Sequence, residues 1–242
     1  MTTALHMMRK LTIALREIPG GVLAGELIRK SFGHHHRLVE IGNFDGDLRL
    51  KLNLGEHMQS QIFWHGSYSR NILFLLRKIL RPGMTVVDAG ANIGEISLIA
   101  AKRVAPEGKV YAFEPVDRFA DQLQASAAAN GLANLDLRRV GLSDQAGEAT
   151  IYLSGDHYSD GTKHEGLGTL FPTEARSSAE DNIRITTLDD FLRDEAVAKV
   201  DLVKLDIEGS ELNALKGGME MLQRHQPALI VEVGEDTCRA AG

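Results

Sequence analysis

Two hydrophobic periodicities divide the chain. From residue 85 onward, short apolar runs bounded by turn residues alternate with stretches of helical spacing. Thr85–Asp88, Lys109–Phe113, Leu135–Val140, Val200–Ile207 and Ala228–Val233 read as strands buried in a sheet. Between them, Glu95–Arg103, Asp117–Asn130 and Glu211–Arg224 read as helices, the second ended by Gly131. Thr187 with Asp190 resembles a capping box that opens a further helix, Leu188–Asp194. This rhythm predicts an α/β domain: a mainly parallel sheet with helices on both faces. Right-handed crossovers then place a ligand at the carboxyl ends of the strands, where strand order reverses. A short strand, Glu148–Leu153, and another, Ile183–Ile185, flank residues 154–182, which lose periodicity and read as a long polar loop.

The first 60 residues read as an extension of the domain at 61–242. Residues 1 to about 30 carry amphipathic helix spacing (Leu5, Met8, Leu11, Leu15, Ile18) split near Pro19-Gly20-Gly21. Leu38–Ile41 and Leu48–Leu54 flank an Asp45-Gly46 turn and predict a β-hairpin. Ser69–Leu80 predicts a helix stopped by Pro82-Gly83.

Composition narrows the partners. At 242 residues and 43% hydrophobic, the chain supports one α/β domain with a sizeable core. A formal net charge of −6, with no basic run of useful length, disfavours nucleic acid. Cys238 is the only cysteine, which excludes an intrachain disulfide and suits a reducing compartment. No apolar run approaches the ~18 residues of a membrane span. The charges Arg9, Lys10, Arg16 and Glu17 interrupt the N-terminal apolar stretch, unlike a secretory signal. Adjacent His34, His35 and His36 point to alternate faces if extended and lack a partner ligand, so a solvated loop is the plainer reading.

The chemistry concentrates after the first core strand, in Val86-Val87-Asp88-Ala89-Gly90-Ala91-Asn92-Ile93-Gly94. A buried strand breaks there into a glycine turn and enters a helix whose positive end faces the turn. Gly90 and Gly94 allow close approach. Glu114, at the end of the second strand, is placed to accept both hydroxyls of a ribose. A pyrophosphate loop needs G-x-G-x-x-G, but Asn92 and Glu95 stand where its second and third glycines belong. Two negative side chains, Asp88 and Glu95, repel phosphate and suit a cationic, phosphate-free nucleoside, which S-adenosylmethionine is. After the third strand, Ser143 or Asp144 is placed either to bond an adenine amine or simply to form a turn. In Lys204-Leu205-Asp206-Ile207-Glu208, strand alternation puts Lys204, Asp206 and Glu208 on one side. A charged row at a buried strand's end is costly unless paired or functional.

Several strings together resemble the FkbM family of class I S-adenosylmethionine-dependent methyltransferases. They are Asp88-Ala89-Gly90-Ala91-Asn92-Ile93-Gly94, Phe113-Glu114-Pro115, Thr186-Thr187-Leu188-Asp189-Asp190-Phe191-Leu192, Lys204 to Glu211, and Leu215-Lys216-Gly217-Gly218. The resemblance covers about residues 60 to 233. It implies a Rossmann-like sheet and O-methylation of a hydroxyl on a sugar or secondary metabolite. It also implies a cofactor site lined by Asp88, Gly90, Asn92, Gly94 and Glu114, with Asp206 and Glu208 near methyl and acceptor. Two departures stand out. Relatives often carry Gly-x-Tyr-Glu where this chain has Gly66-Ser67-Tyr68-Ser69. The terminal strand pair that usually follows strand five is absent, so Ala228–Val233 is expected to be covered by the N-terminal segment or a second chain, unless the chain is a truncated form.

For the reaction, Asp206 is the first candidate base, Glu208 the second, and His157 or His164 the third. Asp206, Glu208 and Glu232 as oxygen ligands to Mg²⁺ form a rival within the class, though no recognised metal-ligand spacing supports it. Two further classes of function share the fold. An NAD-dependent oxidoreductase is one, against which the missing glycines count, and a non-catalytic S-adenosylmethionine-binding module is the second. The expected setting is a cytoplasmic enzyme with a small hydroxyl-bearing acceptor, free or as a homo-oligomer.

Overall fold

The computed structural model describes residues 2–32, 38–153, 162–163, 168–171 and 178–234. His34, His35, His36, His157, His164 and Cys238 lie outside them. The described chain divides into two units, one running to Arg70 and including residues 162–163, the other comprising the rest.

In the first unit, helices α1 (Thr2–Leu15) and α2 (Gly21–Ser31) are followed by the expected hairpin, β1 (Leu38–Phe44) and β2 (Leu48–Asn53). Asp45 and Gly46 both take positive φ, as a tight hairpin turn requires. Val39 and Ile41 of β1 and Leu48, Leu50 and Leu52 of β2 are buried at alternate positions, the stripe read from sequence, and a register shift between Ile41 and Phe44 buries Phe44 as well. A third helix, α3 (His57–His65), follows. The Glu56 carboxylate accepts from the amides of Met58 (3.2 Å) and Gln59 (2.8 Å) and caps it. Thr12 of α1 donates to the Trp64 carbonyl at 2.5 Å, tying α1 to α3.

After α4 (Arg70–Ile79), the second unit is built on β3 (Thr85–Ala89), α5 (Glu95–Val104), β4 (Lys109–Phe113), α6 (Asp117–Ala129) and β5 (Leu135–Arg138). A second, four-stranded sheet comes next: β6 (Gly141–Leu142), β7 (Gly147–Leu153), β8 (Gly168–Thr169) and β9 (Ser178–Thr186). The chain then returns through α7 (Leu188–Asp194), β10 (Leu202–Leu205), α8 (Glu211–Lys216), α9 (Met219–His225) and β11 (Ala228–Val231). The central sheet is parallel, in the order β11-β10-β3-β4-β5. Strand order therefore reverses between β3 and β10, the position that receives ligands in doubly wound sheets.

One side of this sheet packs on α7, α8 and α9. There Val87, Ala89, Tyr111, Phe113, Val203 and Leu205 form a core with Leu188, Phe191, Ala214 and Met221. Phe191 stands edge-on to both Tyr111 (5.1 Å) and Phe113 (4.8 Å). Asp88 and Lys204 point to the opposite side, where α5 lies: Ser97 of that helix bonds Asp88. The architecture is the α/β, Rossmann-like sheet expected from sequence.

Three expectations need correction. The single helix Glu211–Arg224 is two, parted at Gly217-Gly218. A Cβ on Gly217 would lie 2.2 Å from the Ser143 carbonyl oxygen, so the break lets this corner seat against the loop after β6. The long loop 154–182 contains strand: β8 and the first residues of β9 pair with β7. That pairing is made by backbone, and the sequence there shows no apolar alternation. Finally, β10 stops at Leu205, and Glu208 takes φ 54°, so the strand alternation invoked for Asp206 and Glu208 does not continue through them. The strand β11 forms the sheet edge, with Leu229 44% exposed. None of the helices in the described residues is long and apolar enough to cross a membrane.

Candidate active site

The turn after β3 is set by contacts on both of its glycines. Gly90 has φ +73°, and a Cβ there would lie 1.8 Å from the Asp206 carbonyl oxygen. Gly94 has φ +95°, and its Cβ would lie 2.3 Å from Leu123 Cδ1 of α6. Bare backbone at these points lets two strand ends and a helix close on one another. The amides of Gly90 and Ala91 both donate to the Phe113 carbonyl at 3.0 Å, holding the turn to the end of β4. Asn92 takes φ 50°, and its own Oδ1 accepts from the Ile93 amide at 2.7 Å.

Glu114 closes the β4 side. It is buried, and its two carboxylate oxygens accept from the amides of Asn92 (2.8 Å) and Val116 (2.9 Å). Burial pushes its pKa up to about 7, opposed by those two hydrogen bonds and by Lys204. Each oxygen keeps a second lone pair, the acceptor set needed for a pair of ribose hydroxyls.

Asp88 is fully buried. Its Oδ2 accepts from Ser97 Oγ at 2.5 Å, and its Oδ1 lies 3.3 Å from Lys204 Nζ. That second contact has ion-pair distance without hydrogen-bond alignment, because Lys204 aims its protons at the carbonyls of Ala89 and Gly90, both at 3.0 Å. Lys204 Nζ also lies 3.4 Å from Asp206 Oδ2. Burial alone would lower the Lys204 pKa, but the charges of Asp88 and Asp206 outweigh it and hold the group above its ordinary value. Asp88 thus acts on the turn through Lys204, which crosses between the two strand ends.

Beyond Leu205 the chain turns through Glu208 and Gly209, both with positive φ. Glu211 fixes this turn: its carboxylate accepts from the amides of Ile207 (2.8 Å) and Gly209 (2.9 Å). The Glu208 carbonyl accepts from Thr169 Oγ1 at 2.6 Å. The neighbouring strand, β11, is followed by Glu232, whose amide donates to the Leu205 carbonyl at 2.9 Å.

The structure therefore gathers Asp88, Gly90, Asn92, Gly94, Glu114 and Asp206 around the switch point, with Glu208 on the adjoining turn. Ser143 and Asp144 are tied elsewhere. The Ser143 amide donates to the Thr186 carbonyl at 3.0 Å, its hydroxyl donates to Asp144 Oδ1 at 3.3 Å, and its carbonyl packs on Gly217. Ser97, Glu211 and Glu232 complete the surroundings, and sequence reasoning does not assign them these contacts. Glu211 is legible only as an acid in the first turn of a helix, and nothing local marks Ser97. Among the described residues no group of three or more His, Cys, Asp or Glu side chains is arranged to hold a metal.

These residues fit a phosphate-free adenosine: a buried carboxyl with acceptor lone pairs beside a turn without side chain at Gly90, and a turn whose Lys204 charge is already spent on Asp88 and Asp206. Similarity to known proteins agrees. The methyltransferase FkbM domain matches residues 88–239. Methyltransferase sdnD of Sordaria araneosa is 32% identical over 161 residues, covering 54% of this chain and 59% of that one. The 31-O-demethyl-FK506 methyltransferase FkbM of Streptomyces tacrolimicus is 31% identical, covering 57% of this chain and 60% of its own. The 2-O-methyltransferase NoeI of Sinorhizobium fredii is 25% identical, covering 64% of each. The chain thus spans less than two thirds of these relatives' lengths. It belongs to the methyltransferase FkbM domain family, and its cofactor is S-adenosylmethionine.

Proposed function

We propose that this chain methylates a hydroxyl oxygen of a small molecule, a sugar or a secondary metabolite. Asp206 carries the reading. Its backbone packs against the Gly90 turn and its carboxylate is held toward the β3–β10 junction by Lys204. When bound, S-adenosylmethionine supplies a methyl whose bond to sulfur breaks as the acceptor oxygen bonds it, the sulfur keeping the electron pair and the hydroxyl proton leaving to a base. On the protein's side, Glu114 would hold the ribose, and Gly90, Asn92 and Gly94 would shape the turn against it. Asp206 would orient the acceptor hydroxyl and take its proton, with Glu208 on the next turn as the second choice. The relatives named for 31-O-demethyl-FK506 and for 2-O-methylation support oxygen as the acceptor atom. The net charge of −6 supports a small-molecule acceptor over nucleic acid. A cytoplasmic setting accords with the single cysteine.

The test is transfer of labelled methyl into a small-molecule extract of the source organism. Asp206→Asn should lower turnover by roughly 10²-fold or more while S-adenosylhomocysteine affinity stays within a few-fold. Full turnover in that variant rejects Asp206 as the base. Wild-type protein that binds S-adenosylhomocysteine yet labels nothing rejects the enzymatic reading.

A further inference from the structure

Parallel register brings the ends of β10 and β11 side by side. Leu205 pairs with Val231, and the Glu232 amide donates to the Leu205 carbonyl at 2.9 Å. The residue just beyond each strand is acidic, Asp206 after β10 and Glu232 after β11, so the register sets the two side by side. Two carboxyls set side by side repel one another unless they share a proton. Two ionised carboxylates have only acceptors, so a hydrogen bond between this pair requires one proton. Lys204 Nζ, 3.4 Å from Asp206 Oδ2, draws the remaining negative charge to the Asp206 side. The proton then rests on Glu232, the member open to solvent.

We propose that Glu232 is a positioning residue for Asp206, aiming the Asp206 carboxylate through a shared proton and relaying to solvent the proton that Asp206 receives. The proposal rests on the methyl-transfer reading above. In the resting pair, one proton and one negative charge are shared. When the acceptor's O–H bond breaks, its proton goes to Asp206 and the pair becomes neutral. Glu232 then releases a proton to water, and the resting state returns. No further reactant is needed.

The charged groups around Glu232 favour this. The hydrogen bond to Asp206 first, then burial and the charges of Asp206 and Glu208, raise the Glu232 carboxyl to about 7 against the opposing charge of Lys204. A proton that titrates near neutrality is available for exchange at working pH.

The test reads the shared proton directly. Full-length protein carrying ¹³C-carboxyl Asp and Glu is titrated by NMR with S-adenosylhomocysteine bound, and the Glu232 signal is assigned by its loss in Glu232→Gln. The expected midpoint is near 7, falling by about two pH units in Asp206→Asn, toward the ordinary Glu value. An ordinary midpoint in the wild type, unchanged by Asp206→Asn, overturns the proposal. Where Glu232→Gln fails to fold, Glu232→Asp supplies the assignment, since it removes the same Glu signal. The second readout is the pH profile of methyl transfer into the source extract. The resting pair loses its proton as pH rises through about 7, so Glu232→Gln should remove the alkaline fall that begins there and lower the plateau about tenfold, while Glu232→Asp keeps that fall. An alkaline limb and plateau unmoved by Glu232→Gln also overturn it. Absent transfer in wild-type protein with cofactor affinity intact rejects the methyl-transfer reading instead, and the titration still decides the pair.

Discussion

Gly90 and Asp206 touch through backbone alone: the space a Gly90 side chain would fill is occupied by the Asp206 carbonyl oxygen, 1.8 Å from an ideal Cβ. This contact joins the proposed cofactor turn to the proposed base. Gly90→Ala combines that clash with a φ of +73° that L side chains avoid. It should cost about 3 kcal/mol or more in denaturant unfolding and reduce S-adenosylhomocysteine affinity at least about tenfold. Gly131→Ala is the control. Its φ is +64°, but its Cβ would meet nothing within 4 Å, so it should cost only about 1 kcal/mol and leave affinity alone. Equal effects from the two variants would show that strain, not the Asp206 contact, fixes the turn.

Lys204 is enclosed by Asp88 and Asp206, and Asp88 has no exposure to water. Lys204→Met strands the Asp88 carboxylate in the interior, which costs about 3–5 kcal/mol for a buried pair broken on one side. Adding Asp88→Asn should return much of that loss, a coupling that urea titrations of the single and double variants would read. The sign with pH follows from the raised Lys204 value. Its stabilisation is present in full below the unfolded lysine value and is lost only as pH rises through the higher folded one. The gap between wild type and Lys204→Met should therefore stay constant across neutral pH and narrow only in strong alkali.

Much of this arrangement is legible in the sequence because it is local. Val86 and Val87 followed by Asp88 and Gly90 specify strand and turn within five residues, and Glu114 falls at the end of the next strand. What the sequence hides is decided at long range. Helix spacing runs unbroken across Gly217, and only the Ser143 carbonyl, 74 positions away, explains the break. The start of β9 has no apolar alternation and is strand because β7 supplies its hydrogen bonds. Alternation places Asp206 and Glu208 alike, but the chain leaves the sheet at Leu205, and the two take different roles. The Asp206–Glu232 pairing needs the β10–β11 register, which no single stretch of sequence contains.

Glu114 links stability to pH. Burial raises its carboxyl from an ordinary 4.5 to about 7. The folded protein therefore holds a proton that the unfolded chain releases above 4.5. Stability attributable to this group is greatest below 4.5, declines between 4.5 and about 7 by about 3 kcal/mol, and is level above. Unfolding curves for wild type and Glu114→Gln should diverge across that window in this direction, and parallel curves would remove the linkage. In the proposed site, ribose hydroxyls would donate to Glu114 and so favour its ionised form. S-adenosylhomocysteine binding at about pH 6 should thus release protons, seen calorimetrically in two buffers of different ionisation enthalpy and absent from Glu114→Gln.

Glu211 holds the turn that carries Glu208. Both of its oxygens accept backbone amides, from Ile207 and Gly209, and the side chain is buried. Glu211→Ala leaves two amides without acceptors and should cost about 2–3 kcal/mol. Glu211→Gln keeps one acceptor oxygen and should fall between. The loss is local in origin, so amide exchange at Ile207 and Gly209 should accelerate more than global unfolding predicts. The amides of Gly90 and Ala91 answer to the Phe113 carbonyl instead and should keep their protection. Exchange rising equally at all four positions would mean that the Glu208 turn and the cofactor turn open as one unit, and that Glu211 supports both.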